Sequence, residues 1–262
     1  MPTFPSLFLS HGAPTLALQD GPAHRFLRGY GETLGRPAAV LMVSAHWESE
    51  TPMLGAAEAP QTIHDFSGFP AALYEIVYAA PGAPDLAHRA AALLDAAGQG
   101  ASLDARRGLD HGAWVPLLLM YPGADVPVAQ LSLQIRGGPA HHLHLGEALA
   151  PLRDEGVLIV GSGGFTHNLS EFRGQAADSP APDWVTGFAD WMAEAIEDGR
   201  RDDILDYRQR APHARRNHPS EEHLLPLYVA LGAGGAETCG RRVHASFTCG
   251  VLAMDAFVFG GV

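Results

Sequence analysis

The chain contains no lysine, and all 17 of its basic residues are arginines. Because a Schiff base needs an amine side chain, this absence excludes Schiff-base catalysis. It also excludes a lysine general base and the phosphate-loop motif, whose lysine contacts the phosphates of a nucleotide. Reactivity must therefore come from other side chains, and the 14 histidines are the informative ones.

Cysteine and long apolar runs are also scarce. The two cysteines, Cys239 and Cys249, form no C-x-x-C pair, which predicts two buried free thiols in a reducing compartment. The longest apolar runs, such as 157–160, are far shorter than the ~20 residues of a membrane helix. No basic stretch precedes an apolar one near the N-terminus, as it would in a signal peptide. We therefore expect a cytoplasmic protein without a membrane segment.

Positive charge is outnumbered by negative charge. The 17 arginines face 29 acidic residues, so the formal net charge is −12. A chain this acidic is poorly suited to binding phosphate backbones, and we expect no nucleic-acid partner. The length of 262 residues and the hydrophobic content of 47% fit one globular domain. We expect residues 1–262 to form a single catalytic domain, and the sequence indicates no oligomeric state.

Short apolar runs alternate with helical patterns along the chain. The main runs are continuous, which is typical of strands buried on both faces of a sheet. Together they predict an α/β fold with a central, mostly parallel or mixed sheet flanked by helices. Strands are predicted at 6–9, 39–43, 126–131 and 156–160, helices at 84–94, 140–150 and 183–196, and an edge hairpin from 241–248 and 251–258.

Three histidines stand where predicted strands end. His11 and His46 come just after continuous apolar runs, and His167 follows the run 156–160 by a short glycine loop. In open α/β sheets, ligands bind at the carboxyl ends of the strands. We therefore expect these three side chains to converge on one site, although they are far apart in the sequence.

A fourth histidine, His223, stands near the start of a predicted helix. Ser220 is a candidate N-cap, which would put His223 in the first helical turn. The helix dipole favours neutral imidazole there, and neutral imidazole is the form that binds metals. Pro226 complicates this prediction, because a proline inside the helix would kink it, so the helix is either kinked or begins later.

Imidazole donors without thiolates suit zinc, ferrous iron, copper or nickel. The sequence contains no H-E-x-x-H motif. Three protein ligands with open coordination positions are typical of a catalytic metal rather than a structural one. The histidines therefore predict one divalent metal at the carboxyl ends of the strands.

Six segments in order along the chain resemble the DODA-type branch of the class III extradiol ring-cleavage dioxygenases, in the LigB-like superfamily. Any one segment is weak, but the six together are specific and extend over nearly the whole chain. They are FLSHGAP at 8–14, VSAHW at 43–47, TIHDFSGFP at 62–70, LDHGAW at 109–114, GSGGFTHNL at 161–169 and HPSEEHLLPL at 218–227.

The resemblance implies an α/β enzyme that opens the ring of a small aromatic diol with dioxygen, using one divalent metal, Fe(II) for that chemistry or Zn(II) as bound. It also implies a role for eight residues. Three histidines would hold the metal, two would act on protons, substrate or oxygen, and part of the loop 64–70 would line the pocket. In that order, the residues are His11, His46 and His223; His167 and His111; and His64, Asp65 and Phe66.

One departure from the wider class leaves alternatives open. Many class III enzymes bind iron through two histidines and a glutamate, whereas this branch has a histidine, and Glu222 adjoins His223. His167 could also be a fourth ligand. A zinc-dependent hydrolase using a metal-bound hydroxide is an alternative function, and so is a non-catalytic protein with a closed metal site.

Several other polar residues have two interpretations. Four arginines could meet a substrate carboxylate or could be surface charges, and three histidines at the start of a helix are expected to face solvent. The arginines are Arg25, Arg106, Arg107 and Arg136, and the histidines are His141, His142 and His144.

Overall fold

The computed structural model describes residues 2–172, 174–235 and 238–261. The strands in these ranges are β1 (Ser6–Ser10), β2 (Ala39–Glu48), β3 (Met53–Gly55), β4 (Ser102–Asp104), β5 (Val128–Leu133), β6 (Val157–Gly163), β7 (Gly240–His244), β8 (Phe247–Thr248), β9 (Leu252–Ala253) and β10 (Ala256–Phe259). The helices are α1 (Pro22–Leu34), α2 (Ala71–Tyr74), α3 (Pro84–Ala96), α4 (His111–Met120), α5 (Gly138–Leu149), α6 (Leu169–Phe172), α7 (Asp183–Glu197), α8 (Arg201–Leu205), α9 (Tyr207–Arg210), α10 (Ala214–Asn217) and α11 (Leu225–Gly234).

Eight of the strands form one mixed sheet in the order β4-β3-β5-β2-β6-β1-β10-β7. The four central strands, β5, β2, β6 and β1, are parallel. Antiparallel pairs of β3 with β5, β1 with β10 and β10 with β7 extend the sheet on both sides. The predicted mixed α/β sheet is confirmed.

Helices cover both faces of this sheet. Alternate residues of a strand point to opposite faces, so Leu7 and Leu9 enter one apolar core while Phe8 enters the other. Residues of α1 and α4 fill the first core, and residues of α3, α5, α7 and α11 fill the second. Burial on both faces explains why the central strands are continuously apolar in sequence.

The predicted element positions hold for the central strands and for the long helices, and the differences lie at their ends. β2 continues to Glu48, so His46 lies within the end of the strand rather than after it. α5 ends at Leu149, and a 3-10 segment, Ala150–Glu155, accommodates Pro151. α11 begins only at Leu225.

The C-terminal segment differs from the single hairpin that the sequence predicts. β7 and β10 do pair as antiparallel strands, but β10 is internal because it also pairs with β1, and β7 forms the edge. β8 and β9 form a separate two-stranded hairpin. The break at Cys249, where φ is +52°, is the turn of that small hairpin.

Two expectations about burial are wrong. Cys239 is exposed and Cys249 is half-buried, because they lie beside an edge strand and in a turn. Of the three helix-start histidines, only His144 is exposed; His142 is fully buried. Its Nδ1 donates to the Gly138 carbonyl oxygen at 2.7 Å, and its Nε2 accepts from the Gln134 amide at 3.2 Å, so both ring nitrogens are paired inside the protein.

None of the helices in the described ranges has the length and apolar character needed to cross a membrane.

Candidate metal centre and active site

Three of the predicted histidines converge at the carboxyl edge of the parallel part of the sheet. His11 follows β1, His46 lies at the end of β2, and β6 runs between these two strands. His223 lies in the turn before α11. One ligand atom from each of the three lies within 4.8 Å of the others, and the Nε2 atoms of His11 and His46 are 3.0 Å apart.

Close backbone contacts place these three rings. Gly163 ends β6 beneath the turn that carries His223, and a Cβ there would lie 2.0 Å from the His223 carbonyl oxygen. Gly112, in the first turn of α4, lies against the rings from the other side. A Cβ on Gly112 would lie 2.3 Å from Ser44 Oγ and 3.0 Å from His46 Cδ2. Both positions therefore need glycine because of space rather than backbone torsion.

The Nδ1 atom of each ring faces a polar side chain that is not one of these three histidines. His11 Nδ1 lies 2.9 Å from Ser162 Oγ, whose own hydrogen is donated to the Gly112 carbonyl oxygen, so the hydroxyl accepts from His11. His46 Nδ1 lies 3.4 Å from Asp65 Oδ2, and His223 Nδ1 lies 3.0 Å from Glu222 Oε1. Partners of this kind fix the tautomer and leave each Nε2 free for a metal.

Burial keeps these rings neutral. Burial and the neighbouring histidines lower the pKa of His11 and of His223 well below the usual value. Burial also lowers the pKa of His46 to about 4. Two neutral rings that both direct an unprotonated Nε2 toward one point cannot hydrogen-bond each other there. The donor set therefore fits a divalent cation, which needs neutral imidazole ligands.

Glu222 is a partner of His223 rather than a member of this set. Its Oε1 also accepts from the Ser220 hydroxyl at 3.0 Å, so Ser220 does not cap the helix. Pro226 lies in the first turn of α11, where its missing amide hydrogen removes no helical bond. That position explains why the helix begins after His223.

His167 lies beside the three rings as a fourth imidazole. Its ring stacks on that of His223, with centroids 3.4 Å apart and planes 9° from parallel. Burial lowers the pKa of His167 to about 4, so the ring is neutral near pH 7. A separate group of possible ligand atoms joins His167 with Glu222 and His223, whereas His167 is absent from the group of His11, His46 and His223.

His111 is the fifth histidine of the cluster, and Asp65 orients it. His111 begins α4, and its ring centroid is 4.0 Å from that of His46. Asp65 Oδ1 accepts from the His111 backbone amide at 3.0 Å and lies 2.9 Å from its Nδ1. Burial raises the pKa of Asp65, but the hydrogen bonds from His111 outweigh it and lower the pKa to about 2. An ionised Asp65 therefore joins His46 and His111.

A cavity of about 280 Å³ opens over the five histidines. Its other walls are mainly apolar, and they include Phe66, Phe69, Leu169 and Phe172. Asp65 and Phe66 line this cavity. His64 does not line it, because its Nε2 donates to the Ile76 carbonyl oxygen at 3.0 Å and its ring packs near Trp114. A cavity of this size and character accommodates one small aromatic molecule.

The four arginines that could meet a substrate carboxylate do not line the cavity. Arg25, Arg106 and Arg136 are exposed. Arg107 donates to Asp110 Oδ2 at 2.7 Å, and its guanidinium stacks on Trp47 at 4.9 Å. These contacts give Arg107 a structural role beneath the histidines.

The sequence analysis did not identify a buried carboxylate, Asp110, that lies next to this site. Asp110 is fully buried and caps α4, accepting from the Ala113 amide at 3.2 Å. Its two oxygens also accept from Ser44 at 2.6 Å and from Gln130 at 2.5 Å. An aspartate directly before a helix is an N-cap signal that could have found it. Its partners in other elements have no signal in the local sequence.

Comparison with known proteins decides which family this site belongs to. The family model described as "Catalytic LigB subunit of aromatic ring-opening dioxygenase" matches residues 5–258. The chain belongs to the LigB family. Within it, the chain is 43% identical over 258 residues to the 4,5-DOPA dioxygenase extradiol of Beta vulgaris, covering 97% of this chain and 96% of that one. It is 42% identical over 233 residues to the protein of the same name from Escherichia coli K12, covering 87% and 84%.

A solved structure from the same bacterium agrees. The crystal structure of an uncharacterised Escherichia coli K12 protein matches this LigB-family fold with a TM-score of 0.83 and 34% identity, covering 98% of this chain and 100% of that chain. The protein is thus a metal-dependent extradiol aromatic ring-opening dioxygenase. The hydrolase and non-catalytic alternatives are not favoured by these findings.

Proposed function

We propose that this enzyme binds one ferrous ion through His11, His46 and His223 and cleaves a small catechol, such as DOPA or a close analogue, next to its diol. The observation that carries the proposal is the arrangement of the cavity floor. Three imidazoles with partnered Nδ1 atoms converge there, and two further histidines flank them. When bound, ferrous iron supplies the redox chemistry that lets the aromatic ring react with dioxygen.

The protein's own residues bind the ring and move its protons. Phe66 and Phe69 form an apolar wall against which the aromatic ring packs. His167 is neutral and takes the proton that a catechol hydroxyl must lose, and it later returns that proton to the opened product. Asp65 lies 2.9 Å from His111 Nδ1, which orients the His111 ring for contact with substrate or oxygen.

The proposal extends to the setting of the enzyme. We propose one catalytic domain over residues 1–262, supported by a family match that runs from residue 5 to residue 258. We also propose a cytoplasmic location without a nucleic-acid partner. The two free cysteines are compatible with a reducing compartment, and the net charge of −12 opposes binding to phosphate backbones.

An anaerobic reconstitution tests this function. Apoprotein is loaded with either Fe(II) or Zn(II) and mixed with oxygenated buffer and a panel of catechol, 4-methylcatechol, dopamine and DOPA. We expect oxygen uptake and a yellow ring-opened product only with iron. Stoichiometric iron binding without turnover of any member of the panel would overturn the proposal.

A further inference from the structure

One fully buried histidine, His218, has no part in the chemistry described so far. Its Nε2 donates to the Phe165 carbonyl oxygen at 3.0 Å, whereas its Nδ1 has no hydrogen-bond partner among the described residues. The ring lies close to those of Phe188 and Tyr207, in an apolar environment. A buried polar atom without a partner costs stability, so an apolar ring would pack there at lower cost. The benefit of histidine at this position is therefore its one donated hydrogen bond.

That hydrogen bond joins two segments next to the active site. Residues 216–218, here called the strap, run beside residues 164–168, the loop that carries His167. Two further bonds join the loop to the strap. They run from Asn168 Nδ2 to the Arg216 carbonyl oxygen at 2.6 Å and from the His167 amide to the Asn217 carbonyl oxygen at 3.0 Å.

The strap is itself held in place. Asn217 Nδ2 donates to the Trp184 carbonyl oxygen at 2.9 Å, and the Arg216 guanidinium stacks on the Trp184 ring at 4.3 Å. The chain then continues to His223, whose carbonyl oxygen accepts from the Gly164 amide at 2.8 Å. The loop carrying His167 is thus bonded both to the strap and to His223.

We infer that His218 is a positioning residue that holds the His167 ring in its stack on His223. Of the strap contacts to this loop, the His218 bond alone comes from a strap side chain, so substitution can remove it. The inference rests on the proposed function, because it assigns the consequence to the proton transfer by His167. His218 does not line the cavity, so substrate contact is not expected to change directly.

The test compares three substitutions of His218 with one control substitution elsewhere. His218→Phe keeps a ring of similar shape but removes the donor, and His218→Leu serves if the larger ring prevents folding. His218→Gln restores an amide donor at a similar reach. His142→Phe is the matched control, since His142 is also fully buried and bonded to backbone, yet it lies on α5 and does not line the cavity.

Four readouts separate positioning from general damage: metal stoichiometry, kcat and KM for the best catechol, ionisation of bound 4-nitrocatechol against pH, and crystal structures of the variants. For His218→Phe we expect stoichiometric metal, an unchanged KM and a kcat lower on the order of 10²-fold, the cost of misplacing a catalytic group by about 1 Å. Ionisation of bound 4-nitrocatechol should move to higher pH, and the stack of His167 on His223 should open. His218→Gln should restore kcat and the stack, and His142→Phe should lower stability alone.

The inference is overturned if His218→Phe keeps wild-type kcat and an intact stack, or if His218→Gln loses as much kcat as His218→Phe. An equal loss of kcat in His142→Phe would also overturn it, because the effect would then come from lowered stability in general. If iron-loaded wild-type enzyme turns over no catechol, the proposed function fails. The crystal structures then decide the positioning role separately, because they show directly whether the stack depends on His218.

Discussion

Each of the three proposed metal ligands is held through the ring nitrogen that faces away from the metal. Ser162, Asp65 and Glu222 take the three Nδ1 positions. These partners come from β6, from the loop 64–70 and from the residue before His223, so three separate parts of the fold orient the proposed ligands. Substitution of a ligand should therefore weaken metal binding more than substitution of its hydrogen-bond partner does.

We predict that His11→Ala, His46→Ala and His223→Ala each abolish stoichiometric metal binding, while the fold survives. Ser162→Ala should instead weaken metal affinity by about 10- to 100-fold, since it removes only the group that orients His11. Competition of each apoprotein against a chelator measures this. Full metal retention in His223→Ala together with loss in Glu222→Ala would show that the carboxylate, not the imidazole, is the ligand.

His167 should matter for turnover and not for metal retention. We predict that His167→Ala and His167→Gln bind metal and 4-nitrocatechol but lose about 10²- to 10⁴-fold in kcat, the usual contribution of general acid–base catalysis. Elemental analysis measures the bound metal, and product absorbance measures the loss of turnover. Near-normal turnover in both variants would contradict the acid–base role, and loss of metal in both would make His167 a ligand.

At the scale of elements, the site depends on how closely four backbone segments approach one another. The ends of β1 and β2 supply two of the proposed ligands, the turn before α11 supplies the third, and the start of α4 packs against the rings. Gly112 makes this last contact possible because a side chain would meet Ser44 and His46. An element that carries no metal ligand therefore helps to determine metal affinity.

We predict that Gly112→Ala lowers metal affinity at least 10-fold, because the added methyl group displaces His46 as the loss of an orienting partner would. Gly187→Ala is the matched control, since Gly187 also lies in a helix and an added Cβ would meet no heavy atom within 4 Å beyond its own stretch of helix. Alanine there should stabilise α7 by about 0.5–1 kcal/mol. Metal titration and thermal unfolding of both variants measure the two effects, and unchanged affinity in Gly112→Ala would contradict the packing argument.

The sequence predicted the elements better than their ends. Continuous apolar runs identified the central strands because both faces of this sheet are covered. The start of α11 was left open because Ser220 and Pro226 gave conflicting signals, and only the structure shows that Ser220 bonds Glu222. Local pattern also could not reveal that His142 faces inward, because its partner Gln134 lies in the segment before the helix.

Part of the candidate site could be predicted from the sequence. The positions of His11 and His46 at the ends of predicted strands indicated that they lie close together. The family resemblance added His111 and the loop 64–70. The resemblance did not distinguish His64 from Asp65, although only Asp65 reaches the histidines. The buried network around Asp110 was missed, because its partners Ser44 and Gln130 lie on distant strands that meet only in the folded protein.

At the scale of the whole molecule, buried neutral histidines make stability depend on pH. Burial lowers the pKa of His142 to about 4, against an unfolded value of about 6.5. Between these values the unfolded chain binds more protons than the folded protein, so stability rises with pH and is lost as the pH falls. The other histidines whose pKa is lowered act in the same direction. A substitution at one position therefore isolates the contribution of that histidine to the pH dependence of stability.

We predict that the wild-type apoprotein loses about 3 kcal/mol more unfolding free energy than His142→Gln when the pH falls from 7 to 4. The glutamine cannot titrate, whereas the other histidines contribute equally to both proteins. Urea unfolding of metal-free protein across this range measures the difference. Parallel pH profiles for the two proteins would show that His142 is not buried as a neutral ring.

The most direct test of the account is the origin of the oxygen atoms in the product. Iron-loaded enzyme is given a catechol under isotope-labelled dioxygen in unlabelled water. The ring-opened product is reduced at once, before it exchanges oxygen with water, and its mass is measured by mass spectrometry. We expect both atoms of one dioxygen molecule to appear in each product molecule. A product that carries oxygen from water alone would contradict it, because that is the outcome of metal-assisted hydrolysis.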